Sequence, residues 1–227
     1  MKLINLGIAS VVATFASLTI AANSAKAAVI DFESGFSDRD SVGTVTGSDG
    51  NQATFSVGRN RNNRRDAEIA EKGGRLFRGT TTAFLPRDGA RTPYSNRIGD
   101  FVLTDGIGRR NNYYIQFSKA VSSFSFDFLD LARGSSSTLT AYSDSNFTNV
   151  ISQTNFTGRS TLSRSRLNNV ALDNLGSALS FSVSNRFDRG TAIDNINYDT
   201  VPEPLTIFGT VIAAGFGVAM KRKRQAA

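Results

Sequence analysis

The sequence predicts an all-β body, a two-sheet β-sandwich of jelly-roll type, set between an N-terminal signal peptide and a C-terminal transmembrane helix. Three observations carry this reading. Short apolar and polar alternations at period two recur from residue 29 to residue 198, separated by Gly, Asn, Asp and Ser clusters. That is the pattern of half-buried strands joined by turns. Between them no stretch sustains a helical period, and only Asp66 to Lys72, DAEIAEK, could make two turns of helix. Finally, seventeen phenylalanines stand against no cysteine and no tryptophan, so the core is expected to be held by buried rings and not by disulfides.

In chain order, Lys2 precedes an apolar run from Leu3 to Ala22, and Ala25-Lys26-Ala27 supplies the small-x-small pattern of a signal-peptide cleavage site. The mature chain is expected to begin at Ala28. The chain therefore divides into a signal peptide over 1–27, a sandwich domain over 28–200 and a terminal segment over 201–227. Strands are expected at 29–33, 53–57, 81–85, 101–103 and 112–117, each an apolar alternation bounded by turn residues. The clearest is 121–129, VSSFSFDFL, which places Phe124, Phe126 and Phe128 on one face and Ser125 and Asp127 on the other. Further strands at 138–143, 150–154, 179–183 and 193–198 give enough short elements for two packed sheets.

The last twenty-seven residues, VPEPLTIFGTVIAAGFGVAMKRKRQAA, have a different physics. Sixteen uncharged residues from Leu205 to Met220 would span roughly 24 Å as a helix, slightly short of a hydrocarbon core of roughly 30 Å. Pro204 stands where a helix accepts proline, at its first position. Lys221, Arg222, Lys223 and Arg224 would hold that end on the cytoplasmic side and leave the body outside.

Charge and composition narrow the function classes. The chain has 26 basic and 19 acidic residues, but Lys2, Lys26 and the four terminal cations account for six of the former and Glu203 for one of the latter. The body keeps twenty against eighteen, so the high isoelectric point reflects targeting chemistry and no nucleic-acid partner is expected. What remains local is GRNRNNRRD, an Asn-rich stretch read as a loop, whose Arg59, Arg61, Arg64 and Arg65 could meet an acidic polysaccharide. The absence of histidine and cysteine removes Ser-His-Asp and Cys-His nucleophiles and imidazole proton transfer. Glycoside hydrolysis needs two facing carboxylates, and no acidic pair in the sequence is marked as such, so an enzyme is not expected.

Pro202, Glu203 and Pro204, followed by the short apolar span and the Arg/Lys cluster, resemble the tripartite sorting signal of PEP-CTERM proteins of Gram-negative bacteria. The resemblance covers residues 201–224. It implies an exosortase, a membrane cysteine transpeptidase, as processing partner, with transient residence in the inner membrane before the envelope, outer surface or extracellular space. More loosely, Val29-Ile30-Asp31-Phe32-Glu33, the central FSFDF and the closing Ala192-Ile193-Asp194-Asn195-Ile196 are similar to the first, central and last strands of carbohydrate-binding-module-like jelly rolls. That similarity implies a structural calcium held by acidic residues of the first and last strands, here Asp31, Glu33 and Asp194. Calcium needs only oxygen ligands, which this composition can supply. The expected function is an exported, non-enzymatic cell-surface or extracellular-matrix protein. The alternative is a carbohydrate- or polyanion-binding module associated with exopolysaccharide, using the arginines with Tyr94, Tyr113 or Tyr114.

Overall fold

A computed structural model describes residues 27–72, 79–80, 83–84, 98–105, 111–131, 134–158, 167–185 and 191–201. All regular structure among them is β. The strands are β1 (Ala28–Ile30), β2 (Ser41–Val42), β3 (Thr44–Thr46), β4 (Gln52–Asn60), β5 (Asn63–Glu71), β6 (Gly79–Thr80), β7 (Ala83–Phe84) and β8 (Phe101–Thr104). They continue with β9 (Asn112–Leu129), β10 (Ser136–Tyr142), β11 (Val150–Thr157), β12 (Leu167–Leu172), β13 (Ala178–Val183) and β14 (Ala192–Thr200). Apart from the small β6–β7 pair, they join in one sheet system of sandwich or barrel type.

Its organiser is β9, eighteen residues long. The N-terminal half pairs with β4 on one side and β13 on the other, and β10 and β11 continue outward from β13. The C-terminal half pairs instead with β14 and β12, and β1 adds to β14. β5 and β8 extend from β4, and β8 then pairs with β14, closing that side into a ring. Inward residues are odd-numbered in the first half of β9 (Tyr113, Ile115, Phe117) and even-numbered in the second (Phe124, Phe126, Phe128), all buried. Val121 is still buried on the odd parity, so the change falls at residues 122–123, just after a segment that buried Asn51 clamps. Its carbonyl oxygen accepts from the Ser118 hydroxyl at 2.8 Å and the Lys119 N–H at 2.9 Å, and its amide donates to the Lys119 carbonyl at 3.2 Å. A slip of one residue exchanges the side chains of the two faces, and Asn51 satisfies the backbone just before it.

The two halves thus face one another through a shared aromatic core. Phe124 stacks on Phe181 at 4.1 Å, and Phe117 meets Phe124, Phe181 and Tyr198. Phe32, fully buried, packs edge-on against Phe55.

Three expectations are corrected. The possible helix over residues 66–72 is the second half of β5 and the turn after it, because Ala67 and Ile69 face the core while β2 pairs with residues 67–68 on one side and β8 with residues 68–71 on the other. Pairing outweighs the helix preference of Ala and Glu. The expected strands at 112–117 and 121–129 are one continuous strand. The first strand stops at Ile30, its last residue in register with β14, so Asp31 and Glu33 follow it in irregular chain.

Candidate functional site

The stretch GRNRNNRRD is not a loop. Arg59 is the penultimate residue of β4, Arg64 and Arg65 follow Asn63 at the start of β5, and Arg61 sits in the tight turn between the strands. The turn is closed by the Asn60 side chain, whose oxygen accepts the N–H groups of Asn62 at 3.1 Å and Asn63 at 3.0 Å, the local bond that makes asparagine a turn residue. Gly58 permits the irregular register beside it, since a Cβ there would lie 2.1 Å from the Asn63 carbonyl oxygen.

On the outer face of β4, β5 and β9 this hairpin borders a cleft of about 370 Å³. Thr54, Ser56 and Gln116 bring hydroxyl and amide groups from the sheet, and Arg61, Arg64, Arg65 and Asp66 bring three positive charges and one negative. The side chains are fixed. The Arg64 guanidinium lies 4.8 Å from the Phe147 ring centroid and 5.5 Å from that of Tyr114, within cation–π range. Arg61 donates to the Phe147 carbonyl at 3.2 Å. Arg65 is bound to Glu68 and donates to the Asp105 carbonyl at 2.9 Å, while Asp66 accepts from the Ser41 hydroxyl at 3.1 Å. Arg59 is exposed and does not line the cleft.

Phe147 comes from the β10–β11 connection, which folds back over the sheet and packs its ring against Tyr114 and Tyr142. The ring is buried although its backbone is left-handed, with φ of 59°, a conformation that costs a bulky residue energy. Asp144 organises that turn. Its carboxylate accepts the N–H groups of Asn149 at 2.6 Å and Asn146 at 2.7 Å and the Thr148 hydroxyl at 3.0 Å. Desolvation would raise its pKa, but these bonds outweigh it and hold the group below 3.8. The turn thus carries Phe147 onto Arg64 and fixes the guanidinium, which lowers the entropy lost when it meets an anion. A preorganised basic cleft lined with hydroxyls and amides can bind a sulfated, phosphorylated or carboxylated polymer. Among its described lining residues the carboxylate is Asp66.

The other expected residues fall elsewhere. Tyr113 is buried inside the fold with its hydroxyl donating to the Thr191 carbonyl, so it cannot meet a ligand. Tyr114 is buried beneath Phe147 and serves the site indirectly. Glu33 accepts the Asp100 N–H at 2.8 Å and Asp194 accepts the Gly99 N–H at 3.2 Å, so both converge on one backbone turn. Gly99 tolerates this because it has no Cβ, which would lie 1.6 Å from a Glu33 oxygen. Asp31 is exposed. Among the described residues no group of three or more carboxylates, histidines or cysteines is placed to hold a metal ion.

Ala27 is exposed, whereas Ala28 is buried as the first residue of β1. Ala25, Tyr94, Pro202, Glu203, Pro204, Lys221, Arg222, Lys223 and Arg224 lie outside the described residues. Among the described residues no helix is long and apolar enough to cross a membrane. Sequence reasoning found the arginines by their clustering but missed Phe147, Tyr142, Asp66 and Gln116. Nothing in the local pattern joins these residues, and only the fold brings them together.

No family model matches the chain, and no curated protein matches it. Among solved structures it is similar to the K1 cleaved adhesin domain of Lys-gingipain from Porphyromonas gingivalis W83, at 16% identity and a TM-score of 0.33. The similarity covers 78% of this chain and 99% of that one. At that level it carries no argument about function.

Proposed function

We propose that this is an exported, non-enzymatic envelope or matrix protein whose body binds acidic exopolysaccharide through the arginine cleft. The observation that carries the binding reading is the convergence of Arg61, Arg64 and Arg65 on one hydroxyl-lined cleft, with Arg64 held against Phe147 and Tyr114. The body is read as a jelly roll, and strand order supports that reading. Taking β1, the two halves of β9, then β10 to β14 as eight strands in chain order, one layer runs first, eighth, third, sixth and the other second, seventh, fourth, fifth. That is a double Greek key, widened by β4, β5 and β8. Replacing Arg61 and Arg64 together by glutamine is expected to weaken retention on alginate or hyaluronate resin about tenfold at low salt, with the difference shrinking as salt is added. Stability should fall by only about 1 kcal/mol, the loss of an exposed cation–π contact. Equal retention of variant and parent at low salt would remove the polyanion reading.

The export route rests on the order Pro202-Glu203-Pro204, apolar run and basic cluster, together with the start of β1 at the first residue after the expected cleavage point. Glu203→Ala is expected to leave an unprocessed, membrane-retained form in cell fractions, detected through an epitope in the body. If that variant were processed and exported like the parent, the sorting assignment would fail while the cleft reading stood.

A further inference from the structure

A second cleft, of about 410 Å³, opens between β11 and β12. Each is an edge strand: among the described residues β11 pairs with β10 and β12 with β9, and the two edges face one another without pairing. The described lining is Asn155, Phe156 and Thr157 from β11 and Asn168 and Asn169 from β12, with no charged side chain.

The polar groups of this lining are oriented. Asn169 donates its amide to Asp127 at 3.1 Å, which leaves its oxygen as the available acceptor. Asn155 accepts from the Thr138 hydroxyl at 2.8 Å, so its amide nitrogen is left to donate. Asn168 is 6% exposed and its amide nitrogen has no hydrogen-bond partner, a state that costs a buried donor free energy until something supplies an acceptor. Phe156 is half-buried, its ring fixed edge-on against Phe128 at 5.3 Å.

We infer that this cleft binds an uncharged saccharide. Alternating amide donors and acceptors match hydroxyl groups, each of which both donates and accepts, and the Phe156 ring offers an apolar surface to the C–H face of a sugar. A cleft of this size holds a small ligand with a few placed polar groups. An acidic sugar would approach the Asp127 carboxylate, which lies behind Asn169, and would meet no cation among the described lining residues. An apolar ligand would leave the Asn168 amide nitrogen without an acceptor. The inference is independent of the arginine cleft, which lies on the outer face of β4, β5 and β9.

The test is calorimetric titration of the full chain with cellohexaose, laminarihexaose and mannohexaose, repeated on Asn168→Leu, Asn155→Ala and the Arg61/Arg64 glutamine variant. At least one saccharide is expected to bind. Asn168→Leu should weaken it at least tenfold while the melting temperature holds or rises, since leucine removes an unpaired polar group from a buried position. Asn155→Ala, at an exposed position, should weaken it without unfolding the protein, and the arginine variant should bind as the parent does. Absence of binding by all three saccharides would overturn the inference, as would affinity unchanged in both asparagine variants. Binding of a synthetic peptide copying residues 150–157 in place of any saccharide would overturn it too, in favour of strand addition to an open edge.

Discussion

Phe117→Ala is expected to cost the protein about 3–5 kcal/mol, the range for truncating a large buried aromatic. Phe117 is 3% exposed and stands at the end of the first half of β9, just before the chain crosses to the other layer. Its ring centroid lies 5.9 Å from those of Phe124 and Phe181 and 4.7 Å from that of Tyr198. It therefore touches the second half of β9, β13 and β14 at once. Two of these neighbours, Phe124 and Phe181, are stacked on each other, so their collapse into the cavity would disturb that stack. For a chain of this size the loss corresponds to a melting temperature lower by on the order of 10 °C. Urea unfolding of parent, Phe117→Ala, Phe181→Ala and the double variant would measure it, and the double variant should lose less than the sum of the singles because the rings share contacts. A loss under about 1 kcal/mol for Phe117→Ala would mean that the layers are not joined through this ring.

The same residue shows what the sequence could and could not reveal. The alternations at 112–117 and 121–129 are plain in the sequence, and the structure keeps both. Their fusion into one strand was hidden because Ser118-Lys119-Ala120 breaks the period, and the group that heals the break, Asn51, is 68 residues away from Lys119. Local pattern carries no information about so distant a clamp. β5 was missed for a related reason: Ala and Glu in DAEIAEK favour helix locally, and only β2 and β8 on either side make it a strand. β2, β3 and β6 have two or three residues each, too short for any period to register.

The candidate site was legible as a cluster of arginines and illegible as a site. Arg61 meets the Phe147 carbonyl across 86 residues. Read alone, Phe147 looks like an ordinary apolar residue in an Asn-Phe-Thr triplet. Even the charge count misled in detail, because Arg65 is engaged by Glu68 and Arg59 stands outside the cleft. A linear cluster of four cations becomes, after folding, two arginines presented beside a third that is already paired. For polyanion binding the presented pair matters more than the total.

Asp194→Asn is expected to raise stability at pH 8 and to leave it nearly unchanged at pH 4. Asp194 is 1% exposed and in register with Asp127 on the neighbouring strand, with Glu33 on the same Gly99–Asp100 turn. Burial, first, and then the negative charges of Glu33 and Asp127 raise its pKa to about 7 from 3.8, against the opposing pull of the Asn195 and Gly99 N–H groups. In the unfolded chain the group ionises near the ordinary value, so between pH 4 and 7 the folded state binds more protons than the unfolded one and stability falls as pH rises. The contribution is fully present below pH 4 and lost once pH passes about 7. At about 1.4 kcal/mol per decade of proton affinity it amounts to about 4 kcal/mol in full and to about 3 kcal/mol between pH 5 and pH 8, a melting temperature lower by roughly 5–10 °C at pH 8 than at pH 5 from this group alone. Asparagine keeps an oxygen for the Gly99 N–H and carries no charge, so its profile should lose that slope. Thermal melts of both proteins from pH 5 to pH 8 decide the matter. Parallel curves would mean that the carboxyl ionises as easily in the folded protein as in the unfolded chain, and that Glu33, Asp127 and Asp194 do not repel one another across the turn.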